Sequence, residues 1–312
     1  MGRFRFHHAE HFDIIKPLKP PNFMQKIRKV VIPVAGYGTR FLPVTKAMPK
    51  EMMPIIDKPV IQYVVEEAVD SGITDIVLVT GASKRAVEDH FDYNHDLQNW
   101  LKKQGKNEMR ERVKKIADMA NFTYIRQKGP YGNGTPVLNA EHVIGDEPFA
   151  VVWGDEFFTG GKKPRLKQLL DVYEKYQDPV LTGMRVGKEG TDRFGIVDPV
   201  AEVQKDVWEI KGIVEKPGPK KAKSKIAAMG GYILPPEIFE ILKKTKRGKG
   251  GEVWLADAIA VLGKTRPMYI KIVDGAYRDT GTKEAWLKTN IALALEDKAL
   301  KTEMRKYIKS LL

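Results

Sequence analysis

Four stretches of this sequence combine glycine, basic and acidic residues in ways that suit phosphate chemistry. The first is Ala35-Gly36-Tyr37-Gly38-Thr39-Arg40, which directly follows the apolar run Val30–Val34 and leads on to Lys46, Lys50 and Glu51. Glycines at a strand end let backbone N–H groups approach an anion closely. Arg40, Lys46 and Lys50 can then neutralise several phosphate charges. Taken alone, the same glycines also describe an ordinary tight turn. The second stretch is a pair of acids, Asp155 after Trp153-Gly154 and Asp279 in Arg278-Asp279-Thr280-Gly281-Thr282, each closing an apolar run. Two carboxylates over one crevice would hold Mg²⁺, a hard cation that takes oxygen ligands; spacing alone leaves them equally readable as solvated loop acids. The third is Gln127-Lys128-Gly129-Pro130-Tyr131-Gly132. A Gln amide can pair with both a donor and an acceptor on a pyrimidine edge, and the glycines leave room for a base. The fourth, Glu215-Lys216-Pro217, offers an acceptor for a polyol beside a compact cation for a phosphate, or else an exposed turn.

Other phosphate-binding schemes fit poorly. A dinucleotide fingerprint needs a third glycine at position 41, where Phe41 stands, and Gly263-Lys264-Thr265 lacks the upstream glycine of a P-loop because position 258 is Ala258. The 312 residues contain no cysteine, which excludes disulfides, thiolate catalysis and thiolate-bound zinc. The 30% charged residues and 42% hydrophobic residues describe a folded chain, and no apolar run is long enough to span a membrane. With no apolar signal segment at the N-terminus, a cytoplasmic location is expected. The net charge of +13 favours anionic partners. The densest basic runs, Lys216–Lys225 and Lys243–Lys249, are not interleaved with aromatics, so a nucleic-acid role is not expected.

Elements that would position these residues follow from periodicity. Apolar β-branched runs at Val30–Val34, Ile76–Thr80, Phe122–Gln127 and Phe149–Trp153 alternate with amphipathic helical stretches at Val60–Ser71, Ser83–Phe91, Leu97–Met119 and Pro136–Val143. That is the rhythm of a parallel sheet covered on both faces, with ligands in the crevice at the carboxyl ends of the strands. After residue 178, shorter alternating segments predict antiparallel strands at Val180–Val186, Gly195–Val200, Val207–Val214 and Ile226–Leu234. Helices are predicted near Pro235–Lys244 and Glu252–Leu262, then a strand at Met268–Val273 and one long helix over Lys283–Ile308. On that helix Leu287, Ile291 and Leu295 form one face that can pack on its own domain. Leu293, Leu300 and Met304 form a second, which suits an oligomer contact. Residues 1–24, with Pro17, Pro20 and Pro21, read as an N-terminal tail without a reason to be ordered.

The segment VIPVAGYGTRFLPVTKAMPKEMMPIIDKPVIQY at residues 31–63 resembles the signature of the sugar-1-phosphate nucleotidyltransferases, and within them the bacterial UTP–glucose-1-phosphate uridylyltransferases. Weaker landmarks of that family continue from residue 26 to residue 295. The resemblance implies an α/β fold: a doubly wound, mostly parallel, Rossmann-like sheet with an inserted mixed α+β part over residues 178–235 that binds the sugar. The whole domain would run over residues 25–295, and a C-terminal helix at 283–312 would be available for oligomer contact. It implies UTP and glucose 1-phosphate as substrates, Mg²⁺ as cofactor, and a homodimer or homotetramer. Ala35, Gly36, Gly38, Thr39, Arg40, Lys50 and Glu51 would serve the triphosphate, and Gln127 and Gly132 the base. Asp155 and Asp279 match the metal-binding aspartates, while Gly195, Glu215 and Lys216 would hold the sugar phosphate. Gly230-Gly231-Tyr232 matches a segment of the sugar wall. Two departures bear on the details: Thr135-Pro136 stand where His-Ala is common, and Glu156 where a second aspartate is common. A thymidylyltransferase would use nearly the same residues, and a catalytically silent sugar-nucleotide sensor would not need the intact Arg40, Asp155, Lys216 and Asp279.

Overall fold

A run such as Lys29–Pro33, apolar at every interior position, can only be satisfied by burial on both faces, and the fold supplies it. In a computed structural model that describes residues 26–311, Val30 and Ile32 enter one core cluster and Val31 the other. The tail expected over residues 1–24 lies outside the described residues. The strands are β1 (Lys29–Pro33), β2 (Pro54–Ile55), β3 (Lys58–Pro59), β4 (Asp75–Thr80), β5 (Asn121–Arg126), β6 (Phe149–Val151), β7 (Glu156–Thr159), β8 (Val180–Arg185), β9 (Gly195–Gln204), β10 (Val207–Glu215), β11 (Ile226–Leu234), β12 (Met268–Ile272) and β13 (Ala276–Asp279). The helices are α1 (Val60–Asp70), α2 (Arg85–His90), α3 (His95–Lys103), α4 (Asn107–Asp118), α5 (Gly134–Asn139), α6 (Glu141–Ile144), α7 (Arg165–Tyr176), α8 (Glu237–Lys244), α9 (Leu255–Leu262), α10 (Lys283–Glu296) and α11 (Lys301–Leu311).

Nine strands form one sheet in the order β5-β4-β1-β6-β11-β8-β12-β10-β9. The β5-β4-β1-β6 half is parallel, as the alternating rhythm predicts. Beyond it β11 runs antiparallel to β6 and β8, and β10 antiparallel to β12 and β9, while β8 and β12 are parallel. Residues 178–235 therefore extend the same sheet rather than build one of their own. Helices α1 and α7 cover one face, and α5, α8 and α9 the other. This is a Rossmann-like α/β architecture with a large mixed sheet.

The structure departs from the periodicity reading where local chemistry interrupts a helix. The stretch predicted as one helix over Leu97–Met119 is α3 and α4, broken at Gly105, whose φ of 70° only glycine adopts without strain. The terminal helix breaks at Asp297, whose carboxylate accepts the amides of Ala299 (2.8 Å) and Leu300 (2.9 Å) and so restarts the chain as α11. The faces of α10 are also exchanged: Trp286 and Leu293 pack on the core, whereas Leu287 and Ile291 are exposed. The short strands β2, β3, β7 and β13 carry no alternation of their own. Among the described residues no helix is long and apolar enough to cross a membrane.

Candidate functional site

The glycine loop leaves the carboxyl end of β1 and turns into three consecutive 3₁₀ turns at Thr39–Phe41, Val44–Lys46 and Lys50–Met52. Gly38 has a φ of 65°, and a Cβ there would press on Lys50 Cβ at 3.1 Å and Thr45 Cγ2 at 3.2 Å. Thr45 donates to the Gly38 carbonyl at 2.8 Å, which pins the loop. Glycine is therefore required at 38 by backbone and by space, which is the tight turn. Thr39, Arg40 and Lys46 are exposed on this loop.

Asp155 and Asp279 come together through β7 and β13, an antiparallel pair outside the main sheet in which Asp279 faces Glu156. Thr280 ties the ends, donating its amide (3.1 Å) and its hydroxyl (2.6 Å) to the Asp155 carbonyl. Gly281 leaves a space where a side chain would begin. That point is 3.2 Å from Asp279 Oδ1, 3.5 Å from Asp155 Oδ2 and 3.7 Å from an Arg40 guanidinium nitrogen. Arg40 also reaches the Gly281 carbonyl at 3.4 Å. Lys50 Nζ lies 2.6 Å from Asp155 Oδ2. Burial opposes the lysine's charge, but the Asp155 carboxylate, then Glu51, outweigh it and hold the ammonium above its ordinary value. Two carboxylate oxygens thus converge on one space at the mouth of the glycine loop, already facing cations. Hard oxygen donors of this kind suit Mg²⁺, which completes its shell with waters and substrate phosphates. Among the described residues no set of three or more His, Cys, Asp or Glu side chains is gathered in metal-binding fashion.

In the loop expected to meet a base, the backbone N–H of Gln127 donates to the Thr80 carbonyl at 2.9 Å, so the loop after β5 starts level with the end of β4. Gly132 has a φ of 118°, and a Cβ there would lie 2.5 Å from the Val253 nitrogen and nearer still to its oxygen. Exposed phenols link this loop to the glycine loop, Tyr37 and Tyr131 meeting oxygen to oxygen at 2.8 Å. Buried Thr135 and Pro136 open α5, a first turn where proline is tolerated.

Among the residues expected to hold the sugar phosphate, Gly195 at the start of β9 pairs with Glu215 at the end of β10. A Cβ on Gly195 would lie 3.2 Å from Glu215 Oε2, so the glycine keeps the carboxylate's approach open. Lys216 has a left-handed φ of 44°, donates its amide to the Phe194 carbonyl at 3.2 Å, and holds Nζ 3.4 Å from Glu215 Oε1. Glu215 and Lys216 are 70% and 58% exposed, so both are available to a ligand. Tyr277 of β13 joins the small apolar cluster of Phe194 and Ile196, tying β9 to the ribbon that carries Asp279.

Glu51 needs correcting in its placement: expected to support the nucleotide site as one of its binding residues, it is 1% exposed and pairs with Lys84 at 2.7 Å behind the loop. Burial pushes its carboxyl up, against the pull of Lys84 and then Lys50. A carboxylate facing a triphosphate would be repelled; here it supports the loop from below. Glu156 also turns away from the cleft. Its carboxylate accepts from Tyr277 at 2.7 Å and lies 3.4 Å from Arg165, and burial, opposed by Arg165, pushes it up to about 7. Arg165 is fully buried and forks onto Glu67 at 2.8 and 3.1 Å. Sequence reasoning missed Lys84, Glu67 and Arg165. The one available signal was an acid at position 67 in the apolar stripe of Val60, Val64 and Ala68.

Known proteins resemble this chain over most of its length. The family model described as "Nucleotidyl transferase" matches residues 29–296. A protein of Bacillus subtilis (strain 168) named UTP–glucose-1-phosphate uridylyltransferase is 46% identical over 289 residues, covering 93% of this chain and 98% of that one. One of the same name from Staphylococcus haemolyticus is 47% identical over 92% of this chain and 99% of its own. Among solved structures, a UTP-bound UGPase from Acinetobacter baumannii superposes with a TM-score of 0.86 at 35% identity, covering 92% of this chain and all of that one. A UDP-glucose pyrophosphorylase complexed with UDP-glucose gives 0.78 at 38% identity, covering 87% and 100%. The chain belongs to the nucleotidyl transferase family.

Proposed function

We propose that this protein joins UTP and α-D-glucose 1-phosphate to give UDP-glucose and pyrophosphate. The observation that carries the reading is the convergence of Asp155, Asp279, Arg40 and Lys50 at the mouth of the glycine loop. The names and bound ligands of the similar proteins support the substrates. An oxygen of the sugar phosphate attacks the α-phosphorus of UTP, a new P–O bond forms, and the bond to the β-phosphate breaks as pyrophosphate leaves. The attacking phosphate is already ionised, so positioning and charge neutralisation matter more than an acid–base pair. Backbone N–H groups of residues 36–39, with Arg40 and Lys50, hold the triphosphate. Gln127 and Gly132 meet the base. Glu215 takes sugar hydroxyls, and Lys216 orients the phosphate. Asp155 and Asp279 would hold Mg²⁺, which when bound would neutralise charge on the phosphates. The exposed apolar face of Leu287 and Ile291 on α10, beside Leu42 and Val44, supports a homo-oligomer.

The test is pyrophosphate release over a grid of nucleoside triphosphates and sugar phosphates, with dTTP included. UTP with glucose 1-phosphate is expected to give the highest kcat/KM. Asp155→Asn and Asp279→Asn are each expected to lower kcat by at least about 100-fold, the scale of one lost electrostatic contact in the transition state. Near-parental turnover by both variants would sink the metal assignment, and a preference for dTTP would overturn the choice of base.

A further inference from the structure

We infer that Arg165, acting through Glu156 and Tyr277, is a positioning residue for the Asp155–Asp279 pair. The inference rests on the reading of those two carboxylates given above. Arg165 opens α7 with no exposed surface, and a buried guanidinium is tolerated only when its donors are met. They are met by three separate elements. Glu67 of α1 takes Nε and Nη2 in a forked pair, with Glu67 Oε1 also accepting the Leu166 amide at 3.2 Å. The Gly230 carbonyl of β11 takes Nη1 at 2.8 Å, and Glu156 of β7 lies 3.4 Å from the same nitrogen.

The chain of contacts ends at the ribbon. Glu156 follows Asp155 directly, and its other oxygen receives the Tyr277 hydroxyl from the opposite strand, two residues before Asp279. Gly230 has no room for a Cβ, because Glu156 Oε1 and the Trp153 ring occupy that space. The Glu156 carboxylate is therefore wedged between β11 and the ribbon, with one direction available to each of its oxygens. Arg165 and Glu67 are buried behind the ribbon, so neither acts on substrate. An apolar cluster could fill the same volume without loss of stability. What the ionic cluster adds is direction: it fixes the ribbon's height and rotation against α1, α7 and β11, and with them the separation of the two carboxylates. Groups that orient metal-holding carboxylates from behind typically carry about 10- to 100-fold of metal affinity or activity.

The test uses Arg165→Met and Tyr277→Phe in the full chain, assayed well below each variant's Tm, with Glu67→Gln standing in if Arg165→Met does not fold. The readouts are kcat, the KM for UTP, the Mg²⁺ concentration giving half-maximal rate, and Mn²⁺ affinity by electron paramagnetic resonance without substrate. Each variant is expected to weaken Mn²⁺ binding and raise the Mg²⁺ requirement by about 10-fold. The KM for UTP should stay within about 2-fold, because the triphosphate loop is untouched. Variants with a lowered Tm but parental Mn²⁺ affinity and Mg²⁺ requirement would overturn the inference and leave the cluster a purely structural one. Failure of the underlying reading looks different, because then Asp155→Asn itself would bind Mn²⁺ as the parent does.

Discussion

Replacing Lys84 by methionine isolates the electrostatics behind the glycine loop. Lys84 Nζ lies 2.7 Å from Glu51 Oε2, and the side chains are 2% and 1% exposed, so water screens neither charge. At that distance the attraction is about 6 kcal/mol with an effective dielectric constant of 20. Lys50 also pulls on Glu51 and restores part of what is lost. Removing one partner of a buried pair is thus expected to cost about 3–5 kcal/mol, a fall in Tm on the order of 10 °C for a chain of this size. The loss must depend on pH. The folded Glu51 carboxyl is already held above the ordinary glutamate value, so its contribution to stability is fullest below that ordinary value and declines as pH rises through the folded one. Without Lys84 the folded value climbs further, and the variant escapes its unpaired charge by binding a proton. The deficit relative to the parent should be larger at pH 7.5 than at pH 5.5, each pH unit being worth at most about 1.4 kcal/mol. Adding Glu51→Gln should recover most of the loss, because deleting both charges leaves no orphan. Urea titrations of the three proteins at the two pH values read all of this. A deficit of equal size at both pH values would refute the reasoning, as would a double variant no more stable than Lys84→Met.

Gly132→Ala is expected to cost at least about 2 kcal/mol and to weaken UTP binding, since an alanine at φ 118° is strained and its Cβ strikes the Val253 backbone; thermal melts and calorimetry check both. Lys216→Ala should weaken glucose 1-phosphate by about 1.5–3 kcal/mol while leaving UTP affinity alone, as calorimetry with each substrate would reveal. Leu287→Glu with Ile291→Glu should shift the mass from light scattering down to that of one chain, about 35 kDa, without lowering the Tm, because both side chains are exposed on α10.

The parallel half of the sheet was legible because its strands are buried on both faces and leave near-continuous apolar runs, as in Asp75–Thr80. The glycine loop was legible because its chemistry is local: Gly38, Thr45 and Lys50 meet within a dozen residues. What was hidden is what depends on distant partners. Arg165 stands in KKPRLKQLL, where nothing local sets it apart from its basic neighbours. Its burial follows from Glu67, 98 residues away, together with Gly230 and Glu156. Glu51 reads as one more polar residue of the phosphate loop until Lys84 arrives from the start of α2. The faces of α10 were misassigned for the same reason. Trp286 and Leu293 are held by Pro54 and the core beside β2, a two-residue strand that no periodicity announces.

The meeting of the two aspartates shows how an expectation of proximity can rest on an incomplete picture. Asp155 follows β6, and Asp279 lies shortly after β12, which suggested that two strand ends simply face one crevice. In the sheet, however, β11 and β8 separate β6 from β12. At about 4.8 Å per strand the two ends are roughly 14 Å apart, too far for two carboxylates to share one space. The chain closes that gap by leaving the sheet after both strands and pairing β7 with β13, which brings Asp279 level with Glu156 and within reach of Asp155. The separation of the carboxylates is therefore set by the register of a ribbon of four paired positions. A slip of one residue would turn Asp279 to the opposite face. Tyr277, Thr280 and Thr289 each bond across this ribbon or its exit, at 2.7, 2.6 and 3.0 Å. A two-stranded pair has little stability of its own, so the geometry of the site depends on these side-chain bonds as much as on the sheet that carries it.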